Sequence, residues 1–507
     1  MPNDARGLQH RVTRTGSTLR SITAGSLDFV FRWPFPARRL LLVNLALVTW
    51  SGAVVLPAQV TSTRSASPAP GRFDALERVI STDMRNRGIP GIAVTIVEGD
   101  EVAYRRAFGI ADIESGAAMS TQLLTQVGSV TKVATALMAI DMQLAGEVDL
   151  DAPIQRYVSG LSPRIGALTL RRLLSQTSGL RDEPADSGRQ DPNALLEYAR
   201  SVPDAAQVLP AGEAFSYSNL GFALGGLALQ EAGRAPFDQL LRDRVLRPLL
   251  MGQATMRLSD AATYPRAAGH APDSTGRLRI VRPIANDTRY WPAGYLWASA
   301  EDLTELVRLF LRTSVRASTP RLAAAADSLM VSRTNVEGLP DSAQYGFGMF
   351  IDRWHGVRRV WHPGSMPGYS ALIEILPERG VGVVVVANRD GLRLDAIAER
   401  ALESVAVLPN GGTDADSLVA APVSSTLLQS LEGRYTGRFS LDLTYRDGQL
   451  FLTRFGTTLP VVTLGGDRYA VRVPGAPRAD VFKIVPAAGS RPAYIEMFLW
   501  AFPRVRR

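Results

Sequence analysis

Apolar residues recur at helical spacing over residues 73–88, and then the period changes. Residues 91–97 (GIAVTIV) and 101–108 read as two strands joined by the turn Glu98-Gly99-Asp100. A Leu- and Ala-rich helical region follows, with interruptions, over residues 129–250, and strands return at 345–351, 358–362, 370–376 and 381–387. Strands at both ends with helices between them predict one mixed sheet carrying a helical insertion, an α+β arrangement. The run 382–387 (GVVVVA) has no polar face, so it reads as a central strand covered on both sides. A helix is expected over 394–405, then a Pro/Gly/Ser/Ala-rich linker over 408–424. Beyond it, residues 433–439, 441–445, 449–455 and 468–473 alternate in polarity between Gly-containing turns, which predicts a small all-β meander or barrel over 425–507.

The N-terminal 72 residues have a different pattern. Residues 40–57 begin with 17 uncharged, largely apolar residues (LLLVNLALVTWSGAVVL) preceded by Arg38 and Arg39. This stretch suits a short membrane anchor or a long signal-peptide core, with Ser51-Gly52-Ala53 as a small-residue cleavage site. The basic side stays in the cytoplasm, so residues 1–39 are read as a cytoplasmic N-terminus, 58–72 as a linker, and 73–407 as an exported main domain. The expected location is periplasmic or extracytoplasmic, tethered to the inner membrane unless the signal is cleaved.

Charge sharpens that picture. The chain of 507 residues carries a formal net charge of +8, but residues 1–72 hold nine arginines against Asp4 and Asp28. The remainder is close to neutral, so no nucleic-acid partner is expected. The absence of cysteine removes thiolate sites and disulfides, and four histidines make a His-rich metal site improbable; neither metal nor cofactor is expected. Of the 56 basic residues only Lys132 and Lys483 are lysine. Lysine, unlike arginine, can be tuned into a base, which draws attention to Lys132.

Gly128-Ser129-Val130-Thr131-Lys132 opens an apolar helical run closed by Gly146. A spacing of three places Ser129 and Lys132 on one face of the first turn, where the helix dipole favours an alkoxide and disfavours an ammonium. Ser129 is then a candidate nucleophile and Lys132 its base, although the same spacing also fits an N-cap followed by a surface amine. In Tyr217-Ser218-Asn219, residues i and i+2 of an extended segment face one site. A phenol with its pKa lowered beside Lys132 could relay a proton, and Asn219 could hold a substrate amide. His362-Pro363-Gly364-Ser365 is placed at a strand end, where Gly364 allows close approach and the Ser365 amide could join that of Ser129 in an oxyanion hole. No G-x-S-x-G occurs, so a nucleophile-elbow hydrolase is not supported.

With these three blocks in order, and with flanks such as LRRLLSQTSGL, PAGEAFSYSNLGFAL and HPGSMPGYS, residues 73–405 resemble the serine β-lactamase and penicillin-binding-protein superfamily. The likeness is to its class C-like branch of β-lactamases, D-alanyl-D-alanine carboxypeptidases, D-aminopeptidases and carboxylesterases. The C-terminal module looks like the small β-barrel appended to many members. The resemblance implies a β-lactamase/transpeptidase-like fold and an acyl-enzyme mechanism with Ser129 as nucleophile, Lys132 as base and Tyr217 as proton shuttle. It also implies Asn219 as substrate-orienting residue and His362 in the third motif. Three departures stand out: Pro363 lacks the hydroxyl that meets a substrate carboxylate, Gln176 replaces a usual His, and Leu250 a usual Gly. The expected function is an exported serine hydrolase acting on a small ester, peptide or β-lactam. The alternative is a non-catalytic envelope protein that binds peptidoglycan fragments or a partner through the same pocket.

Overall fold

The structure, a computed structural model, describes residues 71–182, 188–311, 313–331, 333–337, 343–409, 420–474, 479–488 and 493–505. The segment 40–57 lies outside the described residues, and among these no helix is long and apolar enough to cross a membrane.

The main domain is built on an eight-stranded antiparallel sheet. Its strands are β1 (Gly91–Glu98), β2 (Glu101–Gly109), β3 (Thr334–Asn335), β4 (Gln344–Tyr345), β5 (Phe350–Trp354), β6 (Val357–Met366), β7 (Tyr369–Leu376) and β8 (Val381–Ala387), in the order β2-β1-β8-β7-β6-β5-β4-β3. The β1–β2 hairpin turns at Gly99, whose φ of 59° lies in the left-handed region. The apolar run of β8 is buried along its whole length, as its composition predicts. Val384 and Val386 point into a core shared with α2 (Thr131–Leu144), α3 (Asn219–Gly233) and α4 (Ala300–Phe310). Val383 and Val385 point the other way, to a layer made by α1 (Asp74–Arg87) and α5 (Asp395–Glu403). Each such side chain contributes roughly 1.5–3 kcal/mol on burial, so β8 anchors both layers.

Two predicted strands differ in extent. The segment expected at 345–351 is split into β4 and β5 because Gly348 adopts φ 69° and lets the chain press on α2, where an added Cβ would lie 2.8 Å from the Lys132 carbonyl oxygen. The strand expected at 358–362 runs on to Met366, so His362-Pro363-Gly364-Ser365 lies inside β6 rather than at its end. β5 pairs with β6 only as far as Trp361, so beyond that point β6 keeps its ladder to β7 on one side, with Pro363 opposite Leu372, and has no strand partner from β5 on the other.

The C-terminal module is a barrel of eight antiparallel strands, not four. They are β9 (Gly433–Thr436), β10 (Ser440–Arg446), β11 (Gln449–Arg454), β12 (Thr457–Gly465), β13 (Arg468–Val471), β14 (Asp480–Val485), β15 (Tyr494–Met497) and β16 (Trp500–Pro503), each paired with the next. A bridge between Tyr435 and Arg504 closes the first strand on the last. Its interior is filled by side chains including Tyr435, Leu452, Tyr469, Phe482 and Phe502.

Candidate active site

Gly128 bends the chain with φ 54°, residues 128–130 form a 3₁₀ turn, and α2 begins at Thr131. Thr131 locks this turn: its hydroxyl donates to the Gly128 carbonyl at 2.6 Å and accepts from the Leu296 amide at 3.1 Å. From Leu124 to Met142 every residue is buried except Ser129, which is partly open.

The predicted shared face is real. Lys132 is 0% exposed, and its Nζ lies 3.2 Å from Ser129 Oγ. Nζ also donates to Asn219 Oδ1 and to the Ala293 carbonyl, both at 2.7 Å. The rings of Tyr217 and Phe222 cover it at 4.8 and 5.4 Å. Burial pulls its pKa from 10.5 to about 7, against the opposing pull of Asp182. The amine therefore has access to its neutral form, with burial rather than the helix dipole as the principal cause.

Tyr217 is held by its backbone. Gln176, buried with φ 59°, accepts from the Ser216 amide through its carbonyl and from the Ser218 amide through Oε1, both at 2.8 Å. Ser218 in turn caps α3, accepting from the Gly221 amide at 3.1 Å. The Tyr217 hydroxyl is within hydrogen-bonding reach of Ser129, but burial raises its pKa above the ordinary 10. This corrects the expectation of a lowered phenol: desolvation of the buried hydroxyl outweighs its hydrogen bond with Ser129, and the Asp182 charge opposes a phenolate further.

Asn219 bridges two groups. Its Nδ2 and backbone amide both donate to Asp182 Oδ1, at 3.2 and 3.0 Å, which fixes its Oδ1 toward Lys132. His362 is placed differently from the other candidates. Its Nδ1 donates to its neighbour's Pro363 carbonyl at 2.6 Å and leaves Nε2 to face the Tyr345 hydroxyl at 3.5 Å, so neither ring nitrogen is turned to Ser129 or Lys132. Burial and the nearby Lys132 push its pKa down to about 3, so it stays neutral. Gly364 and Ser365 do meet the nucleophile turn. An added Cβ on Gly364 would fall 1.9 Å from the Val127 carbonyl oxygen and 3.3 Å from the Ser129 nitrogen, and one on Gly128 would fall 2.4 Å from the Ser365 nitrogen. Glycine on both sides of this seam brings the two amides proposed for an oxyanion hole into one place.

Four contributors had no motif to announce them. Asp182 carries the Asn219 amide, and Arg438, in the turn between β9 and β10, donates to Asp182 Oδ2 at 2.5 Å. The Leu499 carbonyl, just before β16, accepts from the Tyr217 amide at 2.7 Å, and Trp500 packs with Phe215, Tyr217 and Phe350. The barrel thus forms one wall of the site. Gln176 and Leu250, noted as departures, both adopt φ 59°, which accounts for the usual glycine at the latter position.

Comparison with known proteins agrees with this architecture. The profile of the family described as Beta-lactamase matches residues 76–407. "Penicillin-binding protein 4" of Amycolatopsis lactamdurans is 28% identical over 330 residues, 62% of this chain and 84% of its own. "Protein flp" of Staphylococcus aureus (strain MW2) is 24% identical over 326 residues, 62% of each chain, so the match spans less than two thirds of that relative's length. Among solved structures, SurE superposes with a TM-score of 0.70 at 24% identity over 86% of this chain and 99% of its own, and SurE with D-Leu with a TM-score of 0.68 at 23% identity and the same coverage. These superpositions reach beyond the span of the family profile, so the likeness in fold includes the barrel. By its match over residues 76–407, the chain belongs to the beta-lactamase family.

Proposed function

We propose that the protein is a serine hydrolase that forms an acyl-enzyme on Ser129. The observation that carries this reading is the buried Lys132 amine at 3.2 Å from Ser129 Oγ, with its other contacts made to pure acceptors. In its neutral form the amine gives its two N–H bonds to Asn219 Oδ1 and the Ala293 carbonyl, and its lone pair faces the serine hydroxyl. The Ser129 proton passes to Nζ as Oγ bonds to the substrate carbonyl carbon, and the carbonyl oxygen becomes an oxyanion beside the Ser129 and Ser365 amides. The leaving group departs with a proton routed through Lys132 and Tyr217. Water then hydrolyses the ester by the same route in reverse.

The third motif and the relatives support a reading of the substrate class. Pro363 offers no hydroxyl to a substrate carboxylate, which favours an ester or an internal amide over a free C-terminal dipeptide. A penicillin-binding relative and a structural neighbour solved with D-Leu favour a substrate with a D-residue beside the scissile carbonyl. We further propose that residues 40–57 carry the protein across or into the inner membrane, which places the site outside the cytoplasm. Labelling with a fluorophosphonate or a fluorescent penicillin tests the reading: Ser129→Ala should abolish the label, and undiminished labelling rejects Ser129 as nucleophile.

A further inference from the structure

The Lys132 amine stands at the end of a chain of contacts that starts in the other domain. Arg438 donates to Asp182 Oδ2; Asp182 Oδ1 accepts both the backbone amide and Nδ2 of Asn219; Asn219 Oδ1 accepts from Lys132 Nζ; and Nζ meets Ser129 Oγ. The Asp182 side chain is 2% exposed, and that of Arg438, stacked over Trp500 at 5.6 Å, is 36% exposed. A carboxylate so buried needs a cation; one pairs with it directly and another feels its charge from beyond Asn219. The first is Arg438. The second is Lys132, which Asp182 draws toward its charged form.

We propose that Arg438 is a positioning residue of the Ser129 centre: by pairing with Asp182 it leaves Asn219 to orient Lys132, and leaves Lys132 neutral to accept the serine proton. This rests on the hydrolase reading above. The other groups around Lys132 do not compete for this role. Tyr217 and Tyr345 are buried phenols raised above their ordinary range, and His362 stays neutral. α3 adds Asn219 and Phe222, and the segment 292–294 adds a carbonyl; none of these titrates.

The test is the rate of fluorophosphonate labelling of the full chain between pH 6 and 9. Without Arg438, the Asp182 charge acts on Lys132 with no guanidinium to offset it, and the acid limb moves up. For a rise of about one pH unit, Arg438→Ala labels about tenfold more slowly at pH 6, about fivefold at pH 7, and near the normal rate at pH 9. Arg438→Lys should restore most of the rate at pH 7. Arg438→Ala combined with Asp182→Asn should return the limb toward its original position, because no buried charge remains. A loss of equal size at every pH, or an unmoved limb, overturns the proposal. Should Arg438→Ala fail to fold, Arg438→Gln and Arg438→Lys carry the same comparison, with thermal unfolding recorded for each. Failure of the hydrolase reading is separately visible, as a label that survives Ser129→Ala.

Discussion

Lys132 Nζ sits 3.2 Å from Ser129 Oγ while Asn219 Oδ1 and the Ala293 carbonyl each take one of its hydrogens at 2.7 Å. A neutral amine with both N–H bonds engaged can meet a hydroxyl only through its lone pair, so the geometry selects the serine as donor. The pKa near 7 puts this arrangement at half strength around neutrality. Acylation should therefore rise with pH along a limb centred near 7, and Lys132→Ala should lower it by about 10³-fold across the range. Measuring kcat/KM for a nitrophenyl ester from pH 5 to 9 checks both statements; a limb near 5 would remove Lys132 as the titrating base.

Tyr217 is expected to remain a phenol through the working range, because burial raises it above 10. The pH profile should then show no descending limb from this residue below pH 10. Tyr217→Phe keeps the ring over Lys132 and removes only the hydroxyl. Turnover should fall by about 10²-fold, with acyl-enzyme accumulating if the hydroxyl also serves deacylation. A pre-steady-state burst followed by slow release is the signature to look for.

Gly364→Ala should disable the site while leaving its polar groups untouched. Its methyl would fall 1.9 Å from the Val127 carbonyl oxygen, forcing β6 away from the nucleophile turn. The stability loss should be modest, about 1–3 kcal/mol, because β6 keeps its ladder to β7. Labelling of Ser129 should fall far more than that stability loss explains. Thermal unfolding and labelling measured on one preparation separate the two effects.

Glu374 supplies a prediction about stability. It is buried on β7, 3.5 Å from Arg359, which is already shared bidentately with Asp352 and again with Glu399. Burial therefore outweighs this diluted cation and raises the carboxyl from 4.5 to about 8. Between those values the fold holds a proton that the unfolded chain has released. The associated stability is complete below pH 4.5 and is lost as pH rises through 8. Glu374→Gln should flatten this decline, so the Tm of the wild-type protein should drop more than that of the variant between pH 5 and 9.

How much of this was legible in the sequence depended on whether the signal was local. The double-sided burial of β8 and the Ser129–Lys132 pairing are set by neighbours within a few residues, and both were readable. The strand break at Gly348 was not, because it answers to the Lys132 carbonyl on another element. Likewise β12 and β14 to β16 were missed: Pro460 interrupts the pattern of β12, and Tyr494 to Pro503 form an almost uniform apolar run whose turn carries Phe498 at φ 57° instead of a glycine. Asp182 and Arg438 bear no motif, since what pairs them is a domain contact spanning 256 residues of chain. His362 was legible as a position but not as an orientation, which only the Pro363 carbonyl and Tyr345 decide.

The barrel wall also orders events in time. Ser129 and Lys132 leave the ribosome long before the strand β16, which carries the Ala501 amide that donates to Ser216 Oγ and directly follows the Leu499 carbonyl that holds the Tyr217 amide. A nascent chain halted before that strand already carries its nucleophile and base, yet lacks the backbone that seats its tyrosine. The active site is therefore finished only once β16 has been made and has docked against residues 216–217.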